Sequence, residues 1–467
     1  MTEIDTTIGA VERGDYRAEH VALADVESAL DGLWREANEQ ALASTGTPIT
    51  RNTVLTLVAC ASDAEQAQAA LDASDEVTAQ HPARTIVLLP QPSDDPPRIE
   101  TTATVHREGS GRAACYSEAI VVDAFGDAAR HMPGVVLPLV VSGLPTFLWW
   151  LGEPPWGSVL LDALVDGADR LILDSCEFDD PDRGLGRAAE LMRHKQSRVA
   201  LSDFNWTRQA PWRELVAQFF DSANLRPYLT SIDRVTVEYA AGEEEDPVNT
   251  AQAYLLIGWL ASRLGWSLPS GFRRGFGPTR QHTLHDQNGR LVLVEVDARF
   301  GMRQASWFAI EQRQRHQRAL RPDGDPETSG AHAALGANGH GEASADGHRD
   351  APTTPPTPPT SGDGFGPGIA DAGEIGRGAL MSVRLHAIAD GRPGIFIVAR
   401  DEDLAHATTL CQAEVGAQPP HTVHLPTLGE SALLHSQLEL MGHDTVYEEA
   451  LDTAARLVGH DTRRPAY

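Results

Sequence analysis

The residues with most chemical potential lie between Leu201 and Leu215, in the run Leu-Ser-Asp-Phe-Asn-Trp-Thr-Arg-Gln-Ala-Pro-Trp-Arg-Glu-Leu. Asp203, Asn205 and Thr207 are short polar groups of the kind that cap helices and close turns. Trp206, Arg208, Trp212 and Arg213 are types enriched where proteins grip partners or anions. Ser202 has no histidine or cysteine beside it, so no nucleophile is activated here. Two readings stay open: an anion or partner site, or core tryptophans whose neighbouring arginines pair with local acids. A second aromatic run, Gly143 to Trp156, carries Trp149 and Trp150 into a proline-stiffened loop, and reads as core or as a contact surface. Arginines also gather at Arg273, Arg274, Arg280, Arg299 and Arg303, continuing to Arg313, Arg315 and Arg318. Such a patch could take a phosphorylated sugar or an acidic protein face, or could be solvated surface.

Composition excludes several chemistries. The chain has 467 residues, with 66 acidic against 38 basic side chains and a formal charge of -28. That balance disfavours nucleic acid and anionic membrane, which are bound by neutralising phosphates. Lys195 is the only lysine and no glycine loop precedes it, so a P-loop is excluded. Arginine in place of lysine is itself what a GC-rich genome would produce. Cys60, Cys115, Cys176 and Cys411 are scattered, without metal-ligand spacing or a disulfide framework. There is no GxGxxG after the first strand, no HExxH and no GxSxG, so neither a cofactor nor a metal is expected. The N-terminus lacks the order of a signal peptide, and the apolar run Val135 to Val141 is far short of a membrane span. The expectation is a soluble cytoplasmic protein.

These residues need a scaffold, and the sequence supplies one. An amphipathic helix is expected around Leu23 to Leu42. Thr53 to Cys60 reads as a buried strand, Ser62-Asp63 as the cap of a helix, and Arg84 to Pro90 as a second strand. Strand, helix, strand in so short a span is a βαβ unit with parallel strands. The alternation continues through strands at Ala119 to Val122, Leu144 to Trp150, Arg170 to Asp174 and Val199 to Leu201. Helices are expected at Gly157 to Asp166, at Arg187 to Gln196 and from Pro211. From Ile232 the texture changes. A strand at Arg234 to Tyr239, a helix from Thr250 ending at Gly265, and a hairpin around Gln287-Asn288-Gly289 are expected. Leu256, Trp259, Leu260 and Leu264 form a packing stripe on that helix.

The tract 321–377 is rich in Gly, Ala, Asp, Pro and Thr and should be disordered. Beyond it, strands at Ala379 to Leu385 and Gly394 to Arg400, a helix from Asp401 and a helix near Tyr447 to Leu457 complete the pattern. The fold class is therefore α/β: an N-terminal doubly wound, Rossmann-like parallel sheet with a second α/β (α+β) C-terminal domain. The expected organisation is a lead-in over 1–50 and an N-terminal domain over 51–166. A second domain over 167–320 is interrupted by the insertion 321–377 and completed by 378–467.

Four blocks in order resemble a known family. They are Gly143-Leu144-Pro145 through Trp149-Trp150, Arg170 to Asp174, Ser202 to Arg208 with Pro211-Trp212-Arg213, and Gly258-Trp259-Leu260 through Trp266. Together they are similar to the OpcA family of glucose-6-phosphate dehydrogenase assembly proteins, over roughly 50–310 and again over 379–457. The resemblance implies a non-catalytic partner and allosteric activator of the dehydrogenase that opens the oxidative pentose phosphate pathway. The arginine-rich bias looks like an actinobacterial member. Aromatic and arginine density would then place the docking contact around Trp149, Trp150, Trp206, Arg208, Trp212 and Arg213. The rival is a sugar-phosphate- or nucleotide-binding enzyme using the second-domain arginines.

Overall fold

The computed structural model describes residues 16–91, 96–108, 114–195, 198–243, 248–269, 279–305, 375–414, 416, 418–440 and 442–459. The chain opens with β1 (Tyr16–Ala18) and α1 (Val26–Thr45), whose Leu30, Leu33 and Trp34 are buried as the helical spacing requires. β2 (Leu55–Cys60) is buried at every position, as a strand covered on both faces must be. Asp63 then caps α2 (Ala64–Val77) by accepting from the Gln66 amide. β3 (Ala83–Gln91), β4 (Arg98–Glu108), β5 (Cys115–Phe125), α3 (Met132–Val136), β6 (Thr146–Trp150), α4 (Val159–Asp166), β7 (Arg170–Leu173), α5 (Pro181–Lys195) and β8 (Ala200–Asp203) follow.

These strands form one sheet in the order β1-β4-β5-β3-β2-β6-β7-β8. β5, β3, β2, β6, β7 and β8 are parallel neighbours, while β4 runs antiparallel to β5, and β1 to β4. The sheet continues past residue 166, because β7 and β8 extend it beyond β6. The strand β4 falls in Thr- and Arg-rich sequence to which the apolar pattern assigns no element. It pairs along its whole length with β5, and that pairing makes it a strand. Helix α5 begins at Pro181, six residues ahead of the expected Arg187. Gly184 permits this, since a Cβ there would meet the Phe178 ring at 2.3 Å.

The second sheet begins after α6 (Phe204–Arg208), α7 (Ala210–Gln218) and α8 (Arg226–Leu229). It is built from β9 (Ile232–Ala240), then, past α9 (Ala251–Leu264), β10 (Thr279–His285) and β11 (Leu291–Arg299). β12 (Gln304–Ala305) and β13 (Ile375–Gly376) pair separately as a short parallel ladder. β14 (Leu380–Ala389), β15 (Arg392–Arg400), β16 (His406–Ala413) and β17 (His421–His424) complete the sheet, in the order β10-β11-β9-β14-β15-β16-β17. Asp390 and Gly391, both at positive φ, make the tight turn between β14 and β15. Finally come α10 (Glu430–Leu438) and α11 (Thr445–Leu457).

Three expectations are corrected here. The tract 321–377 was expected to lack structure to its end, yet Ile375–Gly376 is the strand β13; residues 321–374 lie outside the described residues. The helix expected from Asp401 is a turn followed by β16. The Asp403 carboxylate accepts from the Ala405 and His406 amides and closes the turn instead of starting a helix. The strand expected at Ala119 to Val122 runs over the whole of β5, 115 to 125. Among the described residues no helix is long and apolar enough to cross a membrane.

Candidate functional site at the carboxyl edge of the first sheet

β8 ends on Asp203 and β7 is followed at once by Asp174, and both aspartates turn back to bind their own loops. Asp203 accepts from the amides of Asn205, at 2.8 Å, and Ser175, at 3.0 Å, so it caps α6 and ties the two strand ends together. Burial, together with the nearby Asp174 carboxylate, lifts the Asp203 carboxyl to about 6. Asp174 forms a two-pronged ion pair with Arg208, at 2.7 and 2.8 Å, with both side chains at most one-tenth exposed. Cys176 sits 3.3 Å from the Arg208 guanidinium. Burial and Asp174 nevertheless push its thiol well up, which makes it an unreactive packing group. Asn205 donates to the Ser175 hydroxyl, and Asn249 donates to the Ser175 and Cys176 carbonyls.

The tryptophans and the second arginine of the window also face inward. Trp206 donates its indole N–H to Asp444 at 3.1 Å and packs against Tyr447, so the tip of α6 is pinned to the start of α11. Arg213 stacks over the Trp206 ring at 3.4 Å and donates to the Trp206 carbonyl. Burial pulls its guanidinium down to about 10. Thr207 accepts from Gln437 of α10, at 2.7 Å. Trp149 meets Phe204 on one face of the sheet, while its neighbour Trp150 packs into the core on the other.

Trp149, Trp150, Asp203, Asn205, Trp206 and Trp212 are all buried. The density that suggested an external contact is thus used internally. Large rings are stabilised by burial, and Arg208 has an acid within reach. Arg280 is also committed inside the protein. It pairs with Asp182 at 2.7 and 3.0 Å, and Thr250 donates to the same carboxylate. Arg299 and Arg303 are exposed, at the end of β11 and just before β12. Arg273 and Arg274 lie outside the described residues. Asp174, Asn249, Asp444 and Tyr447 complete the site and were not singled out by the sequence. The only local signal was an acid directly following a buried strand, in Leu173-Asp174 as in Ser202-Asp203.

Doubly wound sheets bind ligands where neighbouring strand connections diverge, here between the carboxyl ends of β2 and β6. That crevice is largely filled. Leu433, Leu434 and Leu438 of α10 share a core cluster with Ala67, Trp149 and Phe204. Among the described residues, the space beside Gln66, Gly152 and Glu430 is a cavity of about 30 Å³. That is far short of the several hundred Å³ of a cofactor pocket.

Comparison with known proteins agrees with the sequence blocks. Residues 74–190 match the family described as the glucose-6-phosphate dehydrogenase subunit N-terminal domain, and 199–451 match the corresponding C-terminal domain. A protein named "Putative OxPP cycle protein OpcA" in Nostoc punctiforme is 34% identical over 229 residues, covering 48% of this chain and 47% of the relative. Its Synechocystis namesake is 32% identical over 197 residues, covering 42% and 39%. The chain thus matches about half, or less, of the length of these curated relatives. Among solved structures, a mutant of the 3-ketoreductase KijD10 from Actinomadura kijaniata aligns over 87% of this chain and 96% of its own, at 9% identity and a TM-score of 0.40. A levoglucosan dehydrogenase aligns over 86% and 96%, also at 9% identity and a TM-score of 0.40. With both family models matching in order and the C-terminal one spanning 199–451, the chain belongs to the OpcA glucose-6-phosphate dehydrogenase assembly family.

Proposed function

We propose that this chain is a non-catalytic assembly factor and activator of glucose-6-phosphate dehydrogenase in the oxidative pentose phosphate pathway, working in the cytoplasm. The observation that carries this reading is the filled crevice. Its own helix α10 packs over the edge where a nucleotide would bind in a sheet of this kind, leaving only a small cavity beside Gln66, Gly152 and Glu430. Of the second-domain arginines that the sugar-phosphate enzyme reading would use, Arg280 is neutralised by Asp182. In our reading the buried tryptophans, Arg208 and Arg213 shape and stiffen the carboxyl edge, and the dehydrogenase contacts exposed groups outside that cluster.

Activation requires that the chain bind the active dehydrogenase better than the inactive form, since equal affinity shifts no equilibrium. The test is the dehydrogenase's KM, kcat and size-exclusion profile with and without this protein. A change in kinetics together with co-elution is expected. Co-elution with unchanged kinetics would reduce the protein to a scaffold, and turnover by the protein alone would overturn the reading.

A further inference from the structure

Away from the carboxyl edge, His81, His435 and Glu439 converge although 354 residues separate the two histidines. His81 lies in the turn after α2. His435 is on α10, and Glu439 follows four residues on, along the same helical face. His81 Nε2 and His435 Nδ1 are 2.9 Å apart, and His435 Nε2 is 3.5 Å from Glu439 Oε1. One ligand atom from each of the three lies within 4.8 Å of the others. Both histidines are half-buried, while Glu439 is exposed.

We propose that His81, His435 and Glu439 form a Zn²⁺ site that staples the end of α2 to α10. Two imidazoles and a carboxylate are a donor set for Zn²⁺, whereas Mg²⁺ and Ca²⁺ take oxygen ligands. Zn–N bonds of about 2.0–2.1 Å at a tetrahedral angle place two nitrogens about 3.3 Å apart, so the rings need part only by a few tenths of an ångström. Without a metal, one neutral imidazole donates its N–H to the bare nitrogen of the other across the 2.9 Å gap, and Zn²⁺ would replace that proton. His435 would bind through Nδ1, the nitrogen facing His81, so the exposed Glu439 side chain, now beside Nε2 of the same ring, must turn to give the third ligand, and the fourth position is left to water. Because α10 also fills the crevice, the ion would fix the cover over the first sheet.

The experiment uses the full chain, stripped with EDTA and dialysed. Zn²⁺ binding is followed by calorimetry and thermal melting, and Co²⁺ by its visible spectrum. Wild type should bind one Zn²⁺ at this site, melt higher with Zn²⁺ but not with Mg²⁺, and give a Co²⁺ band. His81→Ala and His435→Ala should each weaken binding on the order of tenfold or more and abolish the band. Glu439→Gln, at an exposed position that tests the site without threatening the fold, should weaken binding while leaving the metal-free melt unchanged. If wild type shows no Zn²⁺ binding, or all three variants bind as wild type does, the proposal fails.

Discussion

At the residue scale, the decisive pair is Asp174 with Arg208. Two parallel N–H···O bonds in a buried setting stabilise the fold only while both charges are present. Arg208→Ala leaves a carboxylate buried beside Asp203 and should cost about 3–5 kcal/mol in urea unfolding. The double variant Asp174→Ala with Arg208→Ala should cost less than the sum of the two single changes, because neither group is then left unpaired. A purely external role for Arg208 would instead leave unfolding unchanged and disturb only partner binding. The cap residue Asp203 was legible from sequence, as a short polar group at a strand-to-helix junction. Its neighbour's ion pair was not, since Asp174 lies 34 residues upstream on a different strand.

At the element scale, α9 and α11 are packed so closely that one helix has no room for a side chain at Gly258. A Cβ there would sit 2.2 Å from the Ala450 carbonyl oxygen. Gly258→Ala should therefore destabilise by about 1–3 kcal/mol, although alanine is the better helix former. Gly32 in α1 is the control, since a Cβ there meets nothing within 4 Å. Gly32→Ala should raise stability by about 0.5–1 kcal/mol in the same assay. Equal responses at the two sites would mean that helix propensity, and not the α9–α11 contact, governs Gly258. The sequence marked Gly258-Trp259-Leu260 as a distinctive block and read a core stripe. The close approach of α11, from nearly two hundred residues on, supplies the reason for the glycine.

At the scale of the whole molecule, a buried polar network joins α5, which follows the first sheet's β7, to β10 of the second sheet. Asp182 on α5 holds Arg280 on β10, and His282, two residues along β10, accepts or donates at 2.8 Å to Tyr254 of α9. Burial and the Arg280 charge lower His282 to about 4, with Asp182 opposing them. The unfolded chain takes up a proton near pH 6.5, whereas the folded chain does so only near 4. Stability is therefore fully present above pH 6.5 and falls as the pH drops from 6.5 to 4, by on the order of 3 kcal/mol. His282→Gln should flatten that dependence in denaturant titrations at pH 7.5 and 5. An unchanged slope would assign the pH response to other groups.

The sequence by itself determined the class of fold. Continuous apolar strands, the Asp63 cap, Gly265 at the end of α9 and the hairpin around Gly289 are local signals, set by neighbours a few residues away. It missed β4 and β16, whose polar runs become strands only through pairing with β5 and β15. Which way the aromatic and arginine residues face was decided by tertiary structure alone. Trp206 and Arg208 read the same in sequence whether they grip a partner or a distant part of their own chain. The partners Asp444 and Asp174, 238 and 34 residues away, turn them inward. The same is true of the edge they shape. A parallel sheet promises a crevice between diverging strands, and only the return of α10 from the far end of the chain fills it.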